Sequence, residues 1–219
     1  MIRAVLWDFG GVILTSPFEA FERYELEAGL EPGFIRRINS TNPDANAWAR
    51  LERGELDLIA FSAAFEDEAR ALGATLSGAE VLTLLSGEIR PEMVEGLRRC
   101  KAAGLALGCL TNHIGEGEER PDVAEVMALF DVVVESSKLG IRKPDPRFYE
   151  LACEALEVRP VECVFLDDLG INLKPARAMG MTTIKVDSAG QALTELGTVL
   201  GLALLDCARS RAREVSPTP

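Results

Sequence analysis

Hydrophobic positions follow two alternating patterns along the chain. Short continuous apolar runs predict strands at residues 4–7, 105–110, 132–134, 163–166 and 182–186. Stretches in which apolar residues recur at helical spacing predict helices at residues 91–103, 122–129, 146–156 and 173–179. Pro91, Pro146 and Pro175 lie near the starts of three of these helices, where the missing N–H of proline costs little. Strands that alternate with helices predict the doubly wound α/β class, with a mostly parallel, Rossmann-like sheet and right-handed crossovers.

The segment from residue 16 to residue 86 breaks this alternation, because its pattern predicts helices only. The predicted helices span residues 18–28, 33–38, 46–53, 58–72 and 78–84, with Gly and Pro between them. We interpret this block as an α-helical cap inserted into a core domain of residues 1–15 and 87–210. A decorated bundle with no role in binding is the alternative. Residues 211–219 are polar and end in Ser-Pro-Thr-Pro, which predicts a disordered tail.

The charge of the chain limits its partners. It has 35 acidic and 23 basic residues, for a net charge of −12. This balance argues against a nucleic-acid partner, because phosphate contacts need clustered Lys and Arg, and no extended basic run precedes Arg209, Arg211 and Arg213. An acidic protein that handles phosphorylated substrates needs a local cation to offset its own field. No apolar run approaches the roughly 20 residues that span a bilayer, so we expect no membrane association.

Cysteine and histidine usage argues against a zinc site. The single histidine, His113, and the lack of any CxxC pair leave no Cys/His cluster. The cysteines lie mostly in apolar runs, which predicts buried reduced thiols and a cytoplasmic location. The opening residues, Met1-Ile2-Arg3, lead directly into the first predicted strand and leave no room for a signal peptide. The five cysteines are Cys100, Cys109, Cys153, Cys163 and Cys207.

Four polar features fall at or near the carboxyl ends of predicted strands, the edge where open α/β sheets bind ligands. Each alone has a structural explanation, because such residues also cap turns, start helices or carry surface charge. All four at one sheet edge, in order, favour a functional site. The features are Asp8, Thr111-Asn112, the segment Arg142-Lys143-Pro144-Asp145, and Asp167-Asp168 followed by Asn172.

These features resemble the sequence motifs of the haloacid dehalogenase-like superfamily, from Asp8 to Val186. Motif one, DxDGT or DxDGV, appears as DFGGV at residues 8–12, and motif two is Thr111. Motif three is Lys143 of KPDP, and motif four is Asp167-Asp168. The residues of motif one and the position of the cap most resemble those of one subgroup of the family. This subgroup includes the phosphatase domain of soluble epoxide hydrolase and bacterial sugar-1-phosphatases. The resemblance and the switch-point rule together imply the strand order 3-2-1-4-5.

The resemblance implies a phosphatase that acts on a small phosphorylated metabolite. Asp8 would attack phosphorus and form an aspartyl-phosphate, which splits hydrolysis into two easier steps. Lys143 and the Thr111 hydroxyl would stabilise the phosphoryl group, and a glycine pair would let the backbone approach it closely. The implied substrate contacts are Gly10, Gly11 and Asn112.

The same resemblance implies Mg²⁺ as the cofactor. Its ligands would be Asp8, the backbone carbonyl of Gly10, Asp168 and, directly or indirectly, Asp167. Hard oxygen ligands without imidazole or thiolate suit magnesium better than zinc.

Gly10 departs from the family pattern. The family usually has an aspartate at this position, which protonates the leaving group and then activates water. Glycine does neither, and general acid–base assistance is worth typically ~10²–10⁴ in rate. We therefore expect slow turnover of alkyl phosphates. Relatives that cleave anhydrides, acyl-phosphates or carbon–halogen bonds manage without this acid.

Two other functions stay open at this point. One is a 2-haloacid dehalogenase in which Asp8 attacks carbon, although relatives with that activity lose part of the acidic pair that this chain keeps. The other is a catalytically weak phosphometabolite-binding protein, which Gly10 alone favours. His113 is a candidate contact of the leaving group or a structural turn residue, and both a monomer and a homodimer are possible. Candidates for lining the cap are Trp48, Arg50, Arg53 and Phe61.

Overall fold

Five parallel strands form one sheet in the order β3-β2-β1-β4-β5, which confirms the predicted class and strand order. The computed structural model describes residues 1–112 and 120–205. Its strands are β1 (Ala4–Trp7), β2 (Ala106–Thr111), β3 (Val132–Glu135), β4 (Cys163–Asp167) and β5 (Thr182–Lys185). Trp7 at the end of β1 is in register with Cys109 of β2 and Leu166 of β4. The residues that follow these three positions therefore meet at one edge of the sheet.

Helices surround the sheet and form a separate block between β1 and β2. The block contains α1 (Phe18–Glu27), α2 (Phe34–Ser40), α3 (Ala47–Glu52), α4 (Leu58–Ala71) and α5 (Gly78–Thr83). The remaining α-helices of the described residues are α6 (Pro91–Ala102), α7 (Pro121–Met127), α8 (Ser136–Leu139), α9 (Pro146–Ala155), α10 (Gly170–Ala178) and α11 (Ala189–Leu200). None of the helices in the described ranges is both long and apolar enough to cross a bilayer.

The central strand is buried on both faces, as a parallel sheet between helices requires. Val5 and Trp7 contribute to one hydrophobic cluster, which includes residues of α6 and α11. Ala4 and Leu6 contribute to the cluster on the opposite face, with residues of α9 and α10. This alternation follows from the two-residue repeat of a strand and explains why the strand reads as a continuous apolar run.

The block of α1 to α5 packs around a hydrophobic cluster of its own. Its centre is aromatic: the rings of Phe61 and Phe65 stack with centroids 5.2 Å apart, and Trp48 lies edge-on to Phe61 at 5.5 Å. Phe61 is completely buried in this cluster. The expectation that Phe61 lines a substrate cavity is therefore wrong, because its ring is used to hold the helices of the block together.

The chain leaves and re-enters the sheet unit through two antiparallel segments. The backbone N–H of Thr15 donates to the Glu88 carbonyl at 2.8 Å, and that of Arg90 donates to the Ile13 carbonyl at 2.8 Å. An isolated antiparallel bridge pairs Leu14 with Ile89 between them. The two chain segments that connect the helical block to the sheet unit, residues 13–15 and 88–90, are thus paired with each other, and we call this pair the neck.

Three features of the fold differ from the sequence prediction or lie outside the described residues. The helices α8 and α11 were not predicted, although the capping box of Ser188 and Gln191 is a recognisable start signal for α11. α10 begins at Gly170, so Pro175 lies inside the helix and the prediction that it lies near the start is wrong. At this position proline provides no backbone N–H for the helix. The helix is still held against the sheet, because Leu173 and Ala176 are buried in the hydrophobic cluster on that face. His113, Cys207 and the predicted disordered tail lie outside the described residues.

Candidate active site

Asp8 directly follows β1 and is held so that one of its carboxylate oxygens is left open. Its backbone N–H donates to the Leu166 carbonyl at 2.9 Å, which fixes the residue to the neighbouring strand. The side-chain Oδ1 accepts from the backbone N–H of Phe9 at 2.7 Å and lies 2.8 Å from Nζ of Lys143. No donor among the described residues reaches Oδ2. Within the described residues, the Asp8 carboxylate is therefore orientated through Oδ1 alone.

Lys143 is a buried cation between two carboxylates. Its Nζ lies 2.8 Å from Asp8 Oδ1 and 2.8 Å from Asp167 Oδ2, and only 1% of the residue is exposed. Burial alone would lower the pKa of the Lys143 ammonium, but the two carboxylates outweigh burial and raise this pKa above its ordinary value. Lys143 thus carries its charge at neutral pH.

Asp167 is the last residue of β4 and is completely buried, with both oxygens occupied. Oδ1 accepts from the backbone N–H of Leu169 at 2.8 Å, and Asn172 Nδ2 lies 3.1 Å from each oxygen. The Tyr149 hydroxyl in turn donates to the Asn172 carbonyl at 2.7 Å. These contacts fix Asp167 as an anchor for Lys143.

Asp168 points towards the turn after Asp8, where Gly11 makes room for it. A Cβ atom on Gly11 would lie 2.3 Å from Asp168 Oδ2, and the φ angle of +74° also favours glycine. Burial, followed by the charge of Asp167, raises the pKa of Asp168 to about 6. The close approach of Asp168 to the turn thus depends on glycine at position 11.

Gly10 has neither the close contact nor the positive φ angle that require glycine at position 11. A Cβ atom on Gly10 would meet no heavy atom within 4 Å, and the φ of this residue lies outside the left-handed region. The backbone N–H groups of Gly10 and Gly11 donate to no acceptor among the described residues. Both N–H groups lie in the turn that follows Asp8, and successive backbone N–H groups of a turn are a common anion-binding arrangement in proteins.

A divalent cation fits the carboxylates at this edge. Oxygens of Asp8, Asp167 and Asp168 lie within 4.8 Å of one another. The three carboxylates and the Lys143 ammonium together carry a formal charge of −2 when all four groups are ionised. Burial raises the pKa of Asp8 well above its ordinary value despite the opposing charge of Lys143, with the neighbouring carboxylates adding to the rise. The excess negative charge and the hard oxygen donors suit a cation such as Mg²⁺.

Thr111 and Asn112 complete the edge, and each uses its side chain differently. Thr111 is the last residue of β2, and its hydroxyl has no partner among the described residues. Asn112 uses both ends of its amide within the protein: Oδ1 accepts from the Lys143 N–H at 2.9 Å, and Nδ2 lies 3.2 Å from the Lys143 carbonyl. The four features predicted at the sheet edge therefore lie together.

Two further side chains lie near this cluster and were not singled out from the sequence. Glu52 at the end of α3 lies 2.7 Å from Arg142 and 3.2 Å from Asn112. Burial raises the pKa of Glu52, and the charge of Arg142 opposes this rise. The charge of Arg90, at the neck, lowers the pKa of Asp168 in opposition to burial. Nothing in the local sequence around Glu52 or Arg90 separates them from other charged residues, so only tertiary structure finds them.

Comparison with known proteins gives a consistent picture. Residues 2–180 match the family model described as haloacid dehalogenase-like hydrolase. The chain is 35% identical over 209 residues to acyl-CoA dehydrogenase family member 10 from Mus musculus, covering 92% of this chain and 19% of that protein. It is 31% identical over 220 residues to bifunctional epoxide hydrolase 2 from Sus scrofa, covering 93% of this chain and 40% of that protein. The chain thus spans less than half the length of either relative.

A solved structure shares the fold. It is a HAD-family enzyme from Bacteroides thetaiotaomicron in complex with magnesium and inorganic phosphate. The TM-score is 0.58 at 20% identity, with 90% of this chain and 99% of that chain covered.

Proposed function

This chain belongs to the haloacid dehalogenase-like hydrolase family, and from this membership we propose that it is a phosphatase acting on a small phosphorylated metabolite. The observation that carries the proposal is the asymmetry of the Asp8 carboxylate. Oδ1 is held by Phe9 and Lys143, while Oδ2 has no donor among the described residues, and the Asp8 carboxylate forms a cluster with those of Asp167 and Asp168. A nucleophile held in one orientation, next to a site suited to a cation, matches the needs of in-line attack on a phosphate.

The reaction proceeds in two displacements at phosphorus. Asp8 Oδ2 forms a bond to phosphorus while the bond from phosphorus to the leaving oxygen breaks, which gives an aspartyl-phosphate. Water then attacks the same phosphorus, the bond to Asp8 breaks, and inorganic phosphate is released. Because Gly10 provides no acid, the leaving oxygen takes its proton from water or from the substrate itself.

The groups around Asp8 offset the negative charge of a phosphoryl group. Lys143 supplies a positive charge, and the Thr111 hydroxyl and the backbone N–H groups of Gly10 and Gly11 supply hydrogen bonds. Like-charge repulsion between carboxylate and phosphate is reduced by each of these contacts.

Mg²⁺ is the proposed cofactor, held by Asp8, Asp168 and the backbone carbonyl of Gly10. Bound there, it would supply positive charge that offsets the charge of the phosphoryl oxygens. Asp167 contributes to the charge of the site while both its oxygens remain engaged with Lys143, Asn172 and Leu169. The retention of Asp168 favours phosphatase over 2-haloacid dehalogenase activity, since cleavage of a carbon–halogen bond needs no metal ion.

The helical block of residues 16–86 is the proposed cap, and residues 1–15 and 87–210 the proposed core. A reducing, cytoplasmic location is supported by the four described cysteines, which are buried and free of disulfides. The proposed partner is the phosphorylated substrate alone, and a monomer and a homodimer both fit the proposal.

The test is a turnover assay over a panel of sugar-1-phosphates, acyl-phosphates, aryl phosphates and alkyl phosphates, each with and without Mg²⁺. Wild-type enzyme is expected to release phosphate only with the metal, and Asp8→Asn to release none. Asp187→Asn is the matched control, since Asp187 is an exposed aspartate paired with Lys185. Full turnover by Asp8→Asn, or turnover of haloacids in place of phosphates, would contradict the proposal.

A further inference from the structure

Glu52 is a buried carboxylate of the helical block that reaches the sheet edge. It is the last residue of α3 and is 8% exposed. Its Oε2 lies 2.7 Å from Arg142 Nη1 and 3.2 Å from Asn112 Nδ2, and its Oε1 accepts from the Trp48 indole at 3.1 Å. Its salt-bridge partner is thus 90 residues away in sequence and belongs to the sheet unit. A buried carboxylate needs such a cation, since an unpaired one is costly to bury.

The backbone at the end of α3 makes a second contact with the sheet unit. The Glu52 carbonyl accepts a hydrogen bond from the Ser136 hydroxyl at 2.5 Å, and Ser136 is completely buried. Two residues further on, Gly54 lies so close that a Cβ atom on it would be 2.7 Å from the Ser137 carbonyl. The backbone at the end of α3 therefore lies against α8 at Ser136 and Ser137, while the Glu52 side chain contacts Arg142 and Asn112.

Asn112 connects Glu52 to the loop that carries Lys143. Its Nδ2 lies 3.2 Å from both Glu52 Oε2 and the Lys143 carbonyl, and its Oδ1 accepts from the Lys143 N–H at 2.9 Å. The amide of Asn112 is thus bound to both backbone groups of Lys143. Arg142, the residue before Lys143, donates to the same Glu52 oxygen and also to the Pro43 carbonyl. One Glu52 oxygen thus contacts both Arg142 and Asn112.

We propose that Glu52 is a positioning residue for the nucleophile. Through Asn112 and Arg142 it holds the backbone of Lys143 in the place from which the ammonium pairs with Asp8. The Lys143–Asp8 ion pair, which orientates the nucleophile, therefore depends on packing of the helical block against the sheet unit. Glu52 itself contacts neither Asp8 nor the reacting phosphate. This inference rests on the proposed function for its catalytic consequence, although the link between Glu52 and Lys143 is independent of the substrate.

The first experiment measures hydrogen exchange at the Lys143 amide, because that N–H donates to Asn112. Glu52→Gln keeps the side-chain volume but removes the charge that holds Arg142 and Asn112. Exchange at Lys143 is expected to be faster than in wild type by about 10-fold, in line with the loss of one hydrogen bond. Glu55→Gln is the matched control, because Glu55 lies on the same segment but is exposed and pairs with Arg53.

A second variant keeps the test decisive if Glu52→Gln does not fold. Glu52→Asp retains the charge but withdraws the oxygens by one methylene from Asn112, so faster exchange at Lys143 is expected here too. Exchange at Lys143 that stays at the wild-type rate in every folded Glu52 variant would overturn the proposal.

Steady-state kinetics then separate positioning from other roles. Glu52→Gln is expected to lower kcat by about 10–100-fold with little change in KM, as for a lost supporting contact of a reactive group. A lower kcat with unchanged Lys143 exchange would overturn the proposal, since Glu52 would then act on the substrate directly. If wild-type enzyme hydrolyses no phosphate, the proposed function fails, while the exchange result still decides whether Glu52 holds Lys143.

Discussion

The Nζ of Lys143 lies 2.8 Å from Oδ1 of Asp8, in a site where Lys143 is almost completely buried. The same nitrogen lies 2.8 Å from Asp167. One buried cation is thus paired with two buried carboxylates. This relationship makes Lys143 important for stability as well as for chemistry.

Replacement of Lys143 by Met is expected to destabilise the protein. The change leaves Asp8 and Asp167 buried without their cation, and loss of one partner of a buried ion pair costs about 3–5 kcal/mol of unfolding free energy. Urea-induced unfolding measures this loss. Lys185→Met is the control, because Lys185 forms an exposed pair with Asp187, and such pairs contribute about 0–1 kcal/mol. Equal stabilities of the two variants would show that Lys143 does not carry the buried charge balance.

Gly10→Asp is expected to fold normally and to speed the turnover of alkyl phosphates. A Cβ atom at position 10 would have no heavy atom within 4 Å, and the backbone there has no left-handed φ, so an aspartate is tolerated. A general acid contributes typically ~10²–10⁴ in rate. Gly11→Ala is the comparison, and it is expected to lose activity because its Cβ would displace Asp168. A folded Gly10→Asp enzyme whose alkyl-phosphate turnover stays at the wild-type level would argue against Gly10 as the cause of slow turnover.

The wild-type enzyme is expected to depend steeply on the leaving group. Because Gly10 donates no proton to the departing oxygen, acyl and aryl phosphates should react far faster than alkyl phosphates. A plot of log(kcat/KM) against leaving-group pKa measures this dependence. A rate independent of leaving-group pKa would mean that another residue or the substrate supplies the proton.

Mg²⁺ affinity is expected to rise with pH through about 6. The pKa of Asp168 is raised from 3.8 to about 6 by burial and by Asp167, and a metal ligand must lose its proton to bind. Calorimetric titration at about pH 5 and about pH 7.5 should show weaker binding at the lower pH, with proton release. Asp168→Asn is expected to lose both the binding and its pH dependence. Binding of equal strength at both pH values would remove Asp168 from the metal site.

The same raised pKa has a consequence for the metal-free protein. Between about pH 4 and about pH 6 the folded carboxyl group of Asp168 binds its proton more tightly than the unfolded one. The contribution of Asp168 to the free energy of unfolding therefore decreases as pH rises through this window. Asp168→Asn removes that part of the pH dependence, which unfolding curves over the window would detect.

Sequence predicts the sheet edge well because the chemistry there follows from strand topology. Asp8, Thr111 and Asp167 each lie at or next to the carboxyl end of a predicted strand, and parallel strands bring those ends together. The order of the strands was implied by the family resemblance together with the switch-point rule, and the observed sheet has that order.

The contacts that support this edge were not predictable in the same way. Glu52 is one of 35 acidic residues, and its partners Asn112 and Arg142 are 60 and 90 residues distant in sequence. Such contacts depend on the way in which the helical block packs against the sheet unit. The spacing of hydrophobic residues along the chain does not predict that packing. The internal position of Pro175 was missed for a related reason, because α10 begins at Gly170, ahead of its first buried apolar residue.

Trapping of the phosphoenzyme tests most directly whether Asp8 is the nucleophile at phosphorus. Wild-type enzyme is mixed with acetyl phosphate and Mg²⁺, quenched in acid and digested for peptide mass spectrometry. A phosphoryl group is expected on Asp8, because water attack on the intermediate is slow without an acid–base residue at position 10. The label should be absent from Asp8→Asn and present in Asp187→Asn. Turnover of acetyl phosphate without any label on Asp8, or equal turnover by Asp8→Asn, would contradict the account.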